Sequence, residues 1–152
     1  MDMRTKHWVQ YRKPRTNGPL AESELSTEFF VLCRKPLAYM ANVLDNTVWL
    51  IAGQRTRPHA YFLCSRFTAD YIGPHDDPNL PSDAMCVRGS TGRLFRPLIP
   101  IAQSPWFRSF MRRHGSFAFG LSPIAAEDVV ELRRLVDIED RMIRRRSIRV
   151  SH

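Results

Sequence analysis

The sequence predicts an α+β fold: a small twisted antiparallel sheet or a partly open β-barrel, with flanking helices of which two are C-terminal. Segments typical of strands fill the first two-thirds of the 152-residue chain, and a helix, a strand and a second helix follow. The strand segments are too closely spaced for βαβ units, which need a crossover helix between parallel strands. Hydrophobic residues make up 43% and charged residues 25% of the chain, which is the composition of an ordinary globular domain.

The first half of the chain contains alternating or apolar segments that indicate strands. Residues 6–12 alternate large and polar side chains, and residues 28–33 are dense in β-formers. A short helix is predicted over 36–43. Residues 47–53 are apolar on both faces, which indicates a central strand. We expect residues 59–72 to pair with that strand as an antiparallel hairpin.

Loops rich in proline and polar residues separate the remaining short strands. Residues 13–27 and 73–83 are predicted to be loops because they combine Pro with Gly, Ser, Asn or Asp. Between the second loop and the C-terminal helices, strands are predicted near 84–88 and 93–95. A further strand is predicted over 116–120.

Two C-terminal helices have local start and stop signals. Ser104 is predicted to be the N-cap of the first, with Pro105 at its first position and Gly115 at its C-terminal cap. The second is predicted over 126–144. Its acidic residues cluster in the first turns and its arginines in the last, which complements the helix dipole.

The net charge of +8 is concentrated at the C-terminus and comes almost entirely from arginine, which supplies 20 of the 23 basic residues. Residues 141–152 carry five arginines and no acid, so the other 140 residues contribute only +3. We therefore divide the chain into one domain, 1–140, and a basic tail, 141–152. The arginines Arg144, Arg145 and Arg146 are either a solvated helix end or a phosphate-binding patch.

Cysteine use and hydropathy favour a cytoplasmic protein. Cys33, Cys64 and Cys86 are too widely spaced for a C-x-x-C pair, and their odd number argues against a disulfide framework. We expect all three to be reduced thiols and at least two to be buried. No apolar run approaches the roughly 20 residues that a membrane span needs, and no signal segment follows the N-terminus.

The sequence contains no catalytic signature, so no catalytic residue, metal or cofactor is predicted. Glycine-rich phosphate loops, G-x-S-x-G and H-E-x-x-H are all absent. The closest approach to a metal cluster is His75-Asp76-Asp77, which we interpret as a solvated loop. His59, His114 and the cysteines have no evident catalytic partner.

The aromatic strands offer candidate ligand-binding residues. Trp8 and Trp49 lie on different predicted strands and could line one pocket that stacks on a base, although tryptophans in small β domains are more often core. Arg12 and Arg66 lie on the same strands or their neighbours and could supply polar or phosphate contacts. Trp106 is a third candidate for such a pocket.

Two segments carry a resemblance to a known family. Trp8-Val9-Gln10-Tyr11-Arg12-Lys13-Pro14 is similar to the first strand of EVE domains, in which Trp-Leu is followed by two variable residues and Ser-Glu-Pro. Arg12 and Lys13 replace the Ser and Glu of that pattern. The segment 43–50, Val-Leu-Asp-Asn-Thr-Val-Trp-Leu, resembles the Val-Gly-Asp turn and strand of the same domains, with Leu44 in place of Gly.

The chain thus resembles the PUA-like superfamily, and within it the EVE and YTH-like domains, mainly over residues 6–72. The resemblance implies a small β-barrel with flanking helices and binding of modified bases in RNA or DNA.

These observations leave three classes of function open. The first is a non-catalytic nucleic-acid-binding module that recognises a modified base through an aromatic pocket. The alternative is an accessory subunit, or homodimer, that binds protein and not nucleic acid. A small metal-dependent hydrolase is the third. The sequence does not separate RNA from DNA.

Overall fold

A computed structural model describes residues 6–12, 29–54, 60–78, 80–114 and 120–150. The strands are β1 (His7–Arg12), β2 (Phe29–Cys33), β3 (Thr47–Gln54), β4 (Ala60–Thr68), β5 (Tyr71–Gly73), β6 (Met85–Gly89), β7 (Thr91–Pro100) and β8 (Ser122–Pro123). The helices are α1 (Leu37–Met40), which continues as a 3₁₀ turn (Ala41–Val43), α2 (Phe107–Arg113) and α3 (Ala126–Val150).

The described strands form two open sheets. The larger sheet has the order β7-β4-β3-β1-β8, and the smaller has the order β2-β6-β5. The α+β class is therefore confirmed. The larger sheet is mixed and not wholly antiparallel, because β1 runs parallel to β3 whereas the other neighbouring strands run antiparallel.

The smaller sheet packs against one face of the larger sheet. Val48, Leu50 and Ala52 of β3 point to this face and share a core cluster with Val31 of β2 and Val87 of β6. Trp8 of β1 belongs to the same cluster and is 5% exposed.

Helices α2 and α3 cover the opposite face of the larger sheet, whereas α1 and its 3₁₀ turn pack on the side of the smaller sheet through Met40 and Val43. Trp49 and Ile51 of β3 point to this face, where they join Phe110 of α2 and Leu132 and Val136 of α3 in a second core cluster. The chain is thus built in three layers: small sheet, large sheet and helices. The prediction that β3 is apolar on both faces is confirmed, since both faces are buried.

The segment predicted as one long strand, 59–72, is two strands in different sheets. The chain leaves the larger sheet after β4, where the Ala69 amide bonds to the Asn46 carbonyl oxygen at 2.9 Å. One residue later, the Asp70 amide bonds to the Arg88 carbonyl oxygen of the smaller sheet, also at 2.9 Å. Residues 69–70 therefore carry the chain from one sheet to the other.

The predicted strand at 93–95 is much longer than expected. β7 pairs with β4 on both sides of an irregularity between Leu63 and Ser65, which lets it extend to Pro100. The strands predicted over 6–12, 28–33 and 84–88 match β1, β2 and β6 to within a residue or two.

The helix predicted to begin after Ser104 begins later. The Ser104 carbonyl oxygen accepts the Phe107 amide at 3.0 Å, while the buried Ser104 hydroxyl has no hydrogen-bond partner among the residues that the structure describes. The prediction that Ser104 is the N-cap was wrong, because residues 101–106 form turns and the helix begins at Phe107. The predicted loop 13–27, the cap at Gly115 and most of the strand 116–120 lie outside the described residues.

The last helix is longer than the sequence predicts. It was expected to end at Arg144 but runs to Val150, so the proposed boundary at residue 140 falls within a helix. Its apolar stripe is buried only in the first half, at Val129, Leu132 and Val136. Ile138 and Met142, farther along, are exposed.

All three cysteines are free and buried, as expected. Burial raises the pKa of the Cys64 thiol to about 11, so this thiol is protonated near neutral pH. No helix among the described residues combines the length and the hydrophobicity that crossing a membrane would require.

Replacing Trp49 with alanine should destabilise the fold. Trp49 has no exposed surface, and loss of a buried aromatic side chain typically costs about 3–5 kcal/mol. Urea denaturation should show this loss in the free energy of unfolding. Val130→Ala, at a side chain that is 62% exposed, should stay within about 0.5 kcal/mol of the parent. Equal stability of the two variants would contradict the placement of Trp49 in the core.

Candidate ligand-binding groove

A groove opens between the two sheets beside β1. Its larger part is a cavity of about 460 Å³, and a cavity of about 220 Å³ adjoins it, with Gln10 and Leu32 in the walls of both. The larger cavity falls in the range of about 300–1,000 Å³ that small-molecule sites occupy.

Gln10 lies in this groove because of the alternation of β1. Trp8, Gln10 and Arg12 point toward the smaller sheet, while His7, Val9 and Tyr11 point to the helices. The Gln10 Oε1 atom is buried and has no hydrogen-bond partner among the described residues. An unsatisfied buried acceptor costs about 1–3 kcal/mol, so this oxygen is suited to receive a donor from a ligand.

The walls of the groove are apolar and its rim is cationic. Leu32 and Leu121 supply apolar surface, while Arg34 and Lys35 follow β2 at the edge of the larger cavity. Arg34 donates from Nε to Asp83 at 3.1 Å, an exposed ion pair of small energetic value. Arg12 lines the smaller cavity.

Lys35 is positioned by Tyr39. Its ammonium group lies 4.5 Å from the centre of the Tyr39 ring and 3.5 Å from the Tyr39 hydroxyl. That hydroxyl donates to the Leu121 carbonyl oxygen at 2.9 Å, which ties α1 to the segment before β8. Gly120 precedes Leu121 with φ of +68°, a conformation that favours glycine.

The two tryptophans predicted to form a pocket lie on opposite faces of the larger sheet. Trp8 is behind the wall of the groove, with its ring edge-on to Tyr39 at 5.6 Å between centroids. Its indole Nε1 is buried and has no hydrogen-bond partner in the described part of the chain. Trp49 is fully buried beneath the helices. The prediction that Trp8 and Trp49 line one pocket is therefore wrong, because side chains on opposite faces of a sheet cannot meet.

The predicted arginines are also distributed over the molecule. The Arg12 guanidinium lies 5.9 Å from the Phe30 ring beside the groove, whereas that of Arg66 lies 5.5 Å from the Trp49 ring on the opposite face. Arg144, Arg145 and Arg146 are exposed on the second half of α3. Of the predicted site residues, Arg12 lines the groove and Trp8 packs behind its wall, while the others lie elsewhere.

Trp106 is likewise held within the structure. Its indole Nε1 donates to Asp128 Oδ1 at 2.8 Å, and Arg113 bonds to the same carboxylate. Asp128 is 1% exposed, whereas Arg113 is exposed and Trp106 is half-buried in the wall of a cavity of about 370 Å³. The cluster therefore joins α2 to the start of α3 at the edge of the core.

Sequence reasoning missed Gln10, Arg34 and Lys35. The signal for Gln10 was present, since it is the one neutral polar residue between Trp8 and Arg12 on their shared face. No local pattern places Arg34 and Lys35 beside β1, because this depends on how the two sheets pack.

Metal binding finds no support in the part of the chain that the structure describes, where no group of three or more His, Cys, Asp or Glu side chains could hold an ion. His75 forms hydrogen bonds within its own loop: its Nδ1 accepts the Asp77 amide at 3.2 Å, and its Nε2 lies 2.7 Å from the Pro81 carbonyl oxygen.

No family model, curated protein or solved structure matches this chain.

The fold should lose stability as the pH falls below about 6.5. Burial is the main cause that lowers the pKa of both His7 and His114. The unfolded chain therefore takes up protons at a higher pH than the folded chain does, and stability declines between the unfolded pKa and the lower folded values. Above pH 6.5 this contribution is fully present.

Urea denaturation at pH 7.5, 6.5 and 5.5 measures this decline. The range stays well above the carboxyl pKa values of Asp70 and Asp140, which are lowered by hydrogen bonds from Ser90 and Arg93 respectively. His7→Gln and His114→Gln should each flatten the slope of stability against pH. A slope that both variants leave unchanged would contradict the assignment.

Proposed function

We propose that this chain is a non-catalytic nucleic-acid-binding module that accepts an unpaired base in the groove beside β1. The observation that carries the proposal is Gln10, which lines a cavity large enough for a planar ligand and whose buried Oε1 lacks a partner in the described structure. Nucleobases present N–H donors on their edges, and a splayed-out base can be recognised through them.

The rim supports the same function. Arg12, Arg34 and Lys35 surround the groove with positive charge, which is suited to the phosphates on either side of an inserted base. The exposed arginines of α3 would add affinity that does not depend on sequence. The net charge of +8 favours a polyanionic partner.

A modified base is the form of ligand that fits the resemblance to EVE and YTH-like domains. The apolar wall formed by Leu32 and Leu121 would contact an added methyl group, while Gln10 would accept from an adjacent N–H. Stacking by Trp49 has no place in this proposal, since that ring is buried under the helices.

The alternative function, an accessory subunit that binds protein, draws on α3. Val130, Ile138 and Met142 are large apolar side chains that are 62%, 36% and 41% exposed. Ile138 and Met142 are four residues apart and so lie on one face of the helix. Helix α2 is less suitable as a protein-binding surface because its side chains Phe107 and Phe110 are buried.

Replacing Gln10 with leucine should separate binding from stability. The substitution removes the acceptor but roughly keeps the volume, so affinity for the preferred oligonucleotide should fall about 5- to 150-fold, equivalent to about 1–3 kcal/mol. The free energy of unfolding should stay equal or rise, because the buried oxygen without a partner is gone. Fluorescence anisotropy measures binding to single- and double-stranded DNA and RNA, with and without modified cytosine or adenine.

A salt series distinguishes base reading from charge. Lys35→Gln should reduce the slope of log affinity against log salt by about one, whereas Gln10→Leu should leave the slope unchanged. Arg108→Gln, at an exposed position on α2, is the control for a remote charge. Full binding by Gln10→Leu, or binding that disappears at moderate salt, would contradict the proposal. A stable dimer that ignores nucleic acid would favour the accessory subunit.

A further inference from the structure

A second group of basic side chains lies on the opposite face of the larger sheet, the face that α3 covers. His7 of β1 and Arg66 of β4 both contact Trp49 of β3, which lies between them. Their positions follow from strand register, because Arg66 is directly opposite Trp49 and His7 lies two residues from the partner of Trp49, Val9.

His7 presents a fixed N–H group. Its Nδ1 accepts the Trp49 indole N–H at 2.9 Å, so in the neutral ring the proton is on Nε2. His7 Nε2 has no hydrogen-bond acceptor among the described residues. The bond to a fully buried tryptophan holds the ring in one orientation, with this donor directed away from Trp49.

Arg66 lies directly opposite Arg93 of β7. Two like charges in directly opposite positions on neighbouring strands repel each other and destabilise the pairing. Asp140 of α3 relieves one of the two charges, since it accepts from Arg93 at 3.0 and 2.5 Å. Arg66 forms no ion pair in the described part of the chain, although its guanidinium contacts the Trp49 ring.

Arg133 brings a further positive charge to this cluster from α3. Arg133 is seven residues before Asp140, two helical turns away on the same face. After burial, its positive charge is one of the causes that lower the pKa of both His7 and Arg66. Asp137 and Asp140 also act on Arg66. Because Asp140 is paired with Arg93, the Asp137 carboxylate is left to offset the positive charges of both Arg66 and Arg133.

We infer that His7, Arg66 and Arg133 form a binding site for a phosphate group. Two guanidinium groups and an imidazole N–H provide donors for several oxygens of one anion, and arginine is suited to bind phosphate through paired N–H groups. The anion would also offset the like charges that β4, β7 and α3 bring together. This site lies across the sheet from the groove.

The phosphate can come from two sources, a nucleic-acid backbone or a terminal phosphate. Inorganic phosphate is the first probe because it carries only the shared chemistry. Its binding and base binding in the groove can fail independently, since the two assays use different ligands and different residues.

An NMR titration with inorganic phosphate at constant ionic strength tests the inference. The His7 ring and Arg66 Nε–H signals should shift saturably, and the pKa of His7 should rise because a bound anion favours the imidazolium ion. Arg66→Gln and Arg133→Gln should each weaken binding at least tenfold, whereas Arg108→Gln should leave it unchanged. Arg133 is exposed, so its variant remains informative if Arg66→Gln fails to fold.

Competition by oligonucleotides then identifies the source. Displacement of phosphate by oligonucleotides with and without a 5′-phosphate assigns the site to the backbone, and displacement by the 5′-phosphorylated form alone assigns it to a terminal phosphate. A response that does not saturate, or that is equal in Arg133→Gln and Arg108→Gln, would overturn the inference.

Discussion

The fold depends on β3, a strand that has to be covered on both faces. Val48, Leu50 and Ala52 require a layer on one side, and Trp49 and Ile51 require a layer on the other. The smaller sheet meets the first requirement and the helices meet the second. The hydrogen bond from the Trp49 indole to His7 links this strand to β1, its parallel neighbour.

This three-layer arrangement creates the groove. Because β1 lies beside β3, the smaller sheet covers it only in part, and Gln10 is left in the space between the two layers. Burial of the carbonyl oxygen of a glutamine without a partner opposes folding. A ligand that donates a hydrogen bond to this oxygen would offset that cost in stability.

Local sequence patterns predicted the elements better than their arrangement. The apolar residues of β3 and the alternation of β1 were sufficient to place both strands, because each signal is contained within a few residues. The transfer between sheets at Ala69 and Asp70 was missed, since β-forming residues continue through it and only pairing partners far away in sequence define it. Ser104 had the right residue type for a helix cap but belongs to a preceding turn.

The candidate sites show the same limit. Trp8 and Arg12 were found because aromatic and charged residues are conspicuous, yet Trp8 packs behind the wall and Gln10 contributes the buried acceptor. Arg66 was predicted to supply polar or phosphate contacts to the same ligand as Arg12, but strand register places it beside Trp49, on the face away from the groove. Which residues meet across a sheet follows from pairing and packing, and neither can be read from a short segment.

Base binding in the groove can be measured by an NMR titration with free nucleosides, which carry no phosphate and so do not respond to the cationic surface. We expect saturable shifts of the Gln10 side-chain amide and of the Lys35 and Leu121 backbone amides, with ribose alone giving none. Nucleosides that leave these signals unchanged, or that act no differently from ribose, would contradict the groove as a base-binding site.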